Sequence, residues 1–235
     1  MSILLIVFFQ VLTLNYTYSK RESFSLAIVM SCLTFAFATI LISELTSIFK
    51  SYNFASSLIY WGVLDIVLIS LTLKNRNLIS INRYKALIIQ NKWMIFFLAT
   101  FSILLFTQGI LYPPNNWDSM TYHMARIAHW VMNESVYPYP THIYRQIYQP
   151  PLAEWMIVQI CILNRADYFA NTLQLTYLIS SLACINLMMQ EFGLSKKTRS
   201  IALVLVFTTP SIFMQATSTQ NDIVIGYFFW VRYVH

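Results

Sequence analysis

Long apolar runs separated by short polar stretches dominate the chain. The clearest are Phe24 to Ser43, Phe54 to Leu73 and Trp93 to Tyr112, followed by Thr172 to Met189 and Ile201 to Ala216. A helix needs about 20 apolar residues to cross the hydrocarbon core of a bilayer, so these runs predict transmembrane helices. The opening run, Ile3 to Leu14, is shorter but extends through Tyr16 and Tyr18, aromatics suited to an interface. It lacks the basic start and small-residue cleavage site of a signal peptide and is expected to stay as a helix. The last run, Ile223 to Val231, covers half a span, and the chain is therefore expected to be the front part of a longer protein. The pattern as a whole predicts an all-α, polytopic transmembrane bundle with amphipathic juxtamembrane helices in the first large external loop.

Composition removes the main competing classes. Hydrophobic residues make up 57% of the chain and charged residues 10%, with a mean hydropathy of +0.58. A soluble domain carries about 25% charged residues to wet its surface; this chain is wetted by lipid. Its many aromatics exclude a disordered chain, and its three cysteines are too sparse for a disulfide framework. The net charge of +6 suggests nucleic acid only until the charges are located. Lys and Arg accumulate at the cytoplasmic ends of spans, and Lys74, Arg76, Arg83, Lys85 and Lys92 all lie between the third and fourth spans. Alternation then places Lys20, Arg21, Lys196, Lys197 and Arg199 on that same side, leaving Lys50, Arg126, Arg145 and Arg165 outside. The basic balance is thus a topology signal for a multi-pass integral membrane protein, and no nucleic-acid partner is expected. No Walker or dinucleotide fingerprint occurs.

The same alternation sets Pro113 to about Asn171 outside as the one long connection. Loops of such length are usually functional or disordered, and the aromatic content argues against disorder. From Asp118 to about Glu134 the residues recur with helical period, and Pro138 and Pro140 are expected to stop the helix. Met120, Met124, Ile127 and Val131 form one stripe; Asp118, Tyr122, Arg126, His129 and Asn133 form the opposite one. The expected picture is a helix lying on the membrane with its polar face turned to the external aqueous space. After Pro150-Pro151, Leu152 to Leu163 is apolar but too short to span, so it is expected at the interface or packed against the bundle.

Two carboxylates stand out. Asp118 and Asp222 both precede helical patterns and are good N-caps, yet they fall on the same external side at the ends of different elements. Carboxylates at one membrane depth can converge on a metal ion or on an acceptor hydroxyl. Arg126 lies on the Asp118 face but eight residues along, about 12 Å, which leaves it, like Arg145, for another anion such as a lipid phosphate. Glu154 is a functional candidate because ionisable groups near lipid are costly, and the same rule nominates Asp65 in the third span. His123, His129 and His142 lack the spacing of a zinc site. The aromatics of the loop fit an interfacial belt, with sugar stacking as a second use.

These residues resemble the GT-C glycosyltransferases. The resemblance rests on Asp118 in the first large external loop, the amphipathic helix after it, the Pro150-Pro151 pair opening a short apolar helix, and Asp222 at the outer end of a later span. It is nearest to the branch of protein O-mannosyltransferases and lipid A aminoarabinose transferases, and it covers about Trp93 to Tyr233. It divides the chain into residues 1–92, N-terminal helices with a basic cytoplasmic loop, and 93–235, the start of a catalytic module cut short at its C-terminus. It implies an inverting hexosyl or pentosyl transfer from a polyprenyl-phosphate-linked donor to an acceptor hydroxyl, on the external or periplasmic side of a bacterial plasma membrane. By resemblance Asp118 and Asp222 are catalytic and are the pair that would hold a divalent metal, the one cofactor considered. Arg126 and Arg145 would hold the donor phosphate, with Tyr122, His129, Gln149 and Glu154 in support. Two departures stand: Ser119 follows Asp118 where the family often carries a second acidic residue, and Gln149 precedes the two prolines where many members place a Lys. The alternatives are a transporter or flippase for a lipid-linked or anionic substrate, which would need ionisable groups at mid-bilayer and broken helices, and an inactive truncated membrane protein.

Overall fold

A computed structural model of the chain describes residues 2–21, 23–74 and 81–234; Arg76, one of the expected topology markers, lies outside them. All regular secondary structure among the described residues is helical, without strands. The helices are α1 (Leu4–Lys20), α2 (Phe24–Ile48), α3 (Phe54–Lys74), α4 (Ile81–Gln90), α5 (Lys92–Leu111), α6 (Met124–Asn133), α7 (Arg145–Tyr148), α8 (Leu152–Asn164), α9 (Leu173–Glu191), α10 (Lys196–Phe207), α11 (Pro210–Gln215) and α12 (Asp222–Val231). A single π-turn, Ser119–His123, precedes α6, and a 3-10 turn, Ala170–Thr172, leads into α9.

Four helical stretches are long and apolar enough to cross a membrane: α2, α3, α5, and α9 with its 3-10 turn. These dimensions are those of an integral membrane protein. The run Ile201 to Ala216, expected as one span, is instead broken into α10 and α11. Pro210 is the cause, because it has no N–H for the ladder and disfavours helical geometry at Thr209, which adopts ψ 122°. Pro210 then opens α11 at its first position, where its missing donor costs nothing.

The centre of the bundle is built around aromatic side chains with satisfied polar tips. Trp61 of α3 is fully buried between Phe9 of α1 and Phe35 of α2, and its indole N–H donates to Gln159 of α8 at 2.9 Å. Tyr177 of α9 and Tyr227 of α12 meet edge to face at 5.0 Å and donate to the α2 carbonyls of Cys32 and Val29. A buried hydroxyl or indole that found no acceptor would cost about 1–3 kcal/mol; these anchors therefore fix how α8, α9 and α12 lie on α2 and α3. Helix α8, apolar but short, is buried along most of its length against α2, α3 and α6, the packed one of the two positions expected for it. Asp65 of α3 is buried, and neither carboxylate oxygen has a partner among the described residues.

Side-chain contacts sort the connections onto two ends. At one end Arg83 of α4 donates to the Tyr18 carbonyl, Tyr84 to Asn15, and Lys196 to the Gln90 carbonyl. At the other, Tyr52 and Asn53 bond to Glu134, Asn171 to the Tyr112 carbonyl, and Thr219 to Ser119. The first end carries Lys20, Arg21, Arg83, Lys196 and Arg199. The second carries the residues considered next.

Candidate functional site

The segment between α5 and α6 is shaped by its asparagine and its π-turn. Asn116 Oδ1 accepts the Ser119 N–H at 2.7 Å, so Asn116 performs the capping that Asp118 was placed to do. The Asp118 side chain makes no cap hydrogen bond and is free to point elsewhere. Past it the Met124 N–H reaches Ser119 O, one residue further than in an α-helix. Such π-turns are frequent at functional sites. Here the extra residue lets Tyr122, His123 and Arg126 all turn inward. The helix ends at Asn133, within a residue of the end expected near Glu134. Glu134 takes the left-handed conformation at φ 49°, Ser135 N–H returns to Trp130 O, and the Glu134 carboxylate is tied to Asn53 at 2.9 Å.

This inward turn corrects the sequence picture of the amphipathic helix. The polar stripe is only partly presented outward: Tyr122 and Arg126 are buried against the bundle while His129 and Asn133 are exposed, and of the apolar stripe Met120 and Val131 are exposed while Ile127 is buried. The exposed apolar side chains suit a segment bathed in lipid or lying beneath a lipid substrate.

Asp118 meets two partners loosely. Arg145 Nη1 lies 3.5 Å from Oδ1, and Gln220 Nε2 lies 3.4 Å from Oδ2, both at the long limit of a hydrogen bond. One residue along, the hydroxyls of Thr219 and Ser119 are bonded at 2.6 Å in a buried contact. The loop before α12 is thereby fastened to the π-turn, across a hundred residues of sequence. Asp222 opens α12 two residues after Gln220 and is exposed, with no hydrogen bond or ion pair to a described residue.

Tyr122 sits among these charges. Burial raises its phenol above the ordinary value, the negative charge of Asp118 raises it further, Arg145 opposes, and Asp222 and Glu154 add to the rise. The Arg145 guanidinium lies 5.7 Å from the ring centre. Tyr122 is accordingly a protonated donor at neutral and mildly alkaline pH. The tyrosinate absorbance difference between wild type and Tyr122→Phe should appear above the pH at which a free phenol titrates, about 10, and Asp118→Asn should move it down. A difference that titrates at the free-phenol value would show that these charges do not reach Tyr122.

Beneath Tyr122 is a buried polar cluster. Glu154, in the first turn of α8, has no exposure; its Oε1 lies 2.8 Å from His123 Nδ1 and 3.2 Å from Arg126 Nη1. Arg126 Nη2 donates to the Gln149 carbonyl at 3.1 Å, and the guanidinium lies 4.8 Å from the Trp130 ring centre. The α8 N-terminus supplies further positive potential to the carboxylate. Glu154 Oε2, His123 Nε2 and Arg126 Nε are buried without a hydrogen-bond partner among the described residues.

Of the expected site residues, Asp118, Arg145, Tyr122 and the loop leading to Asp222 come together. Arg126 is committed to Glu154 and Gln149 rather than offered to a lipid phosphate, because a buried guanidinium requires an anion. Gln149 takes part through its backbone carbonyl. His129 is exposed and stacks on Tyr139 at 4.1 Å, apart from the cluster. His142 is exposed, and no grouping of three or more His, Cys, Asp or Glu fit to hold a metal occurs among the described residues. Sequence reasoning missed Thr219 and Gln220. Their only signal was the polar run Ser218 to Asp222 between apolar stretches, which marks a loop and not its partner. No family model, curated protein or solved structure matches this chain.

Proposed function

We propose that the chain acts as a membrane glycosyltransferase, moving a sugar from a polyprenyl-phosphate-linked donor to an acceptor hydroxyl at the end of the bundle that carries Asp118 and Asp222. The observation that carries this reading is the fastening of the 219–220 loop onto Ser119 and Asp118. It supports a site in which a half-buried carboxylate, Asp118, and an exposed one, Asp222, come from distant segments to share one rim with the exposed Arg145.

In this reading Asp118 accepts the proton of the acceptor hydroxyl as its oxygen attacks the anomeric carbon. The bond from that carbon to the phosphate oxygen breaks, its electron pair leaves with the phosphate, and the configuration inverts. Arg145, with Tyr122 as a nearby donor, offsets the negative charge that builds on the leaving phosphate. Two carboxylates completed by substrate phosphate oxygens are a donor set suited to magnesium or manganese rather than zinc. Asp118 and Asp222 would hold such an ion, which would neutralise phosphate charge. The exposed Trp117, Met120 and Met132 offer the donor's chain an apolar bed. The basic opposite end would face the cytoplasm, placing transfer on the external side.

The test uses membranes carrying the full chain and a polyprenyl-phosphate donor labelled in its sugar. Label should leave the lipid phase with the wild type. Arg145→Ala should lower the rate at limiting donor by about tenfold, the scale of one charge-assisted contact at a partly exposed site. Arg145→Ala running at the wild-type rate, or no label released by wild type over several donor sugars, would defeat the reading.

A further inference from the structure

A second site lies at the opposite, basic end. A cavity of about 750 Å³ opens between α2, α5, α9 and α10, within the range of small-molecule sites. Its inner wall is apolar, formed by Met94 and Leu98 of α5, Leu182 of α9, and Leu203 and Phe207 of α10. Its mouth holds Lys196 and Arg199. Arg199 Nη1 donates to Asn186 Oδ1 at 3.2 Å, and Asn186 in turn donates to Ser25 Oγ at 2.9 Å, so the guanidinium is aimed by a neutral relay. Its Nε is buried without a partner, and no carboxylate among the described residues pairs with it. Among the described residues the Lys196 ammonium bonds only the Gln90 carbonyl. A smaller neighbouring cavity shares Phe24, Leu87, Gln90 and Asn91 with this one and adds Lys20, Arg21 and Arg83 to the rim.

We infer that this cavity binds an anionic glycerophospholipid of the surrounding bilayer, its phosphodiester on Arg199 and Lys196 and one acyl chain along the wall of α5, α9 and α10. The charge argument supplies the headgroup: a partly buried guanidinium with no carboxylate paired to it among the described residues is suited to a phosphate oxygen. The apolar wall supplies the chain and excludes a free phosphate as the natural occupant. Basic pockets between membrane helices are known to hold anionic headgroups by this combination. The site is independent of the proposed transfer chemistry, since none of its residues belongs to the Asp118 rim.

The experiment is native mass spectrometry of the full chain released from nanodiscs of phosphatidylglycerol and phosphatidylcholine in equal amounts. Wild type should retain phosphatidylglycerol over phosphatidylcholine by about tenfold or more, the scale of a hydrogen bond to a charged group. Arg199→Gln should abolish the preference. Leu98→Trp, which fills the wall and leaves the cations in place, should lower phosphatidylglycerol retention without altering the charge. Soluble glycerol phosphate should fail to displace the lipid. Equal retention of the two lipids, an unchanged preference in Arg199→Gln, unchanged retention in Leu98→Trp, or displacement by glycerol phosphate would each overturn the inference.

Discussion

Asp118→Asn is expected to cut sugar transfer by about 10²–10⁴-fold, the range lost with a general base, while leaving insertion and helix content unchanged. The amide keeps the shape of the side chain and can still contact Arg145 and Gln220, so the loop before α12 should stay attached. Ser119 and Thr219 hold that attachment independently, through a buried hydroxyl pair. A loss of activity in this variant therefore reports chemistry and not unfolding. Near wild-type transfer by Asp118→Asn would remove the base from the mechanism and with it the central role given to this rim.

Glu154→Gln is expected to have the largest effect on stability. The substitution leaves Arg126, almost fully buried, without its carboxylate, and breaking a buried ion pair from one side costs about 3–5 kcal/mol. For a chain of this size that corresponds to a melting temperature lower by about 6–20 °C, measurable as loss of monodisperse protein on heating in detergent. Removing both charges in Glu154→Leu with Arg126→Met should recover much of the loss, because no unpaired ion remains. A single variant that melts with the wild type would mean that the cluster is hydrated and nearly neutral in its effect.

The sequence made the spans legible because apolar length is a local property. Runs such as Phe54 to Leu73 became helices within a residue or two of their expected ends. It misread Ile201 to Ala216 by weighing apolarity over Pro210, whose local rule was available. The stripe of Asp118, Tyr122, Arg126, His129 and Asn133 is helical but divided, with Tyr122 and Arg126 buried and His129 and Asn133 exposed. The direction that face takes was not readable, because it depends on Glu154, a partner 28 residues from Arg126. A lone Glu in an apolar helix signals that a counter-charge exists without naming it. Likewise Asp118 and Asp222 were nominated by residue type and depth, but the bonds that bring their segments together run through Thr219 and Gln220, whose types are common in any loop. Asn116 as the true cap shows the same limit in miniature: two acceptors stood two residues apart, and backbone geometry chose between them.

The attachment of the 219–220 loop to the π-turn also sets an order of events during biosynthesis. Asp118 enters early, whereas its companion segment is made a hundred residues later, after α9 and the broken pair α10 and α11 have been threaded. A ribosome that has finished only the first eight helices has produced half a rim. Completion of this rim is therefore late, and a folding probe placed at Ser119 would sense the arrival of the segment that carries Thr219.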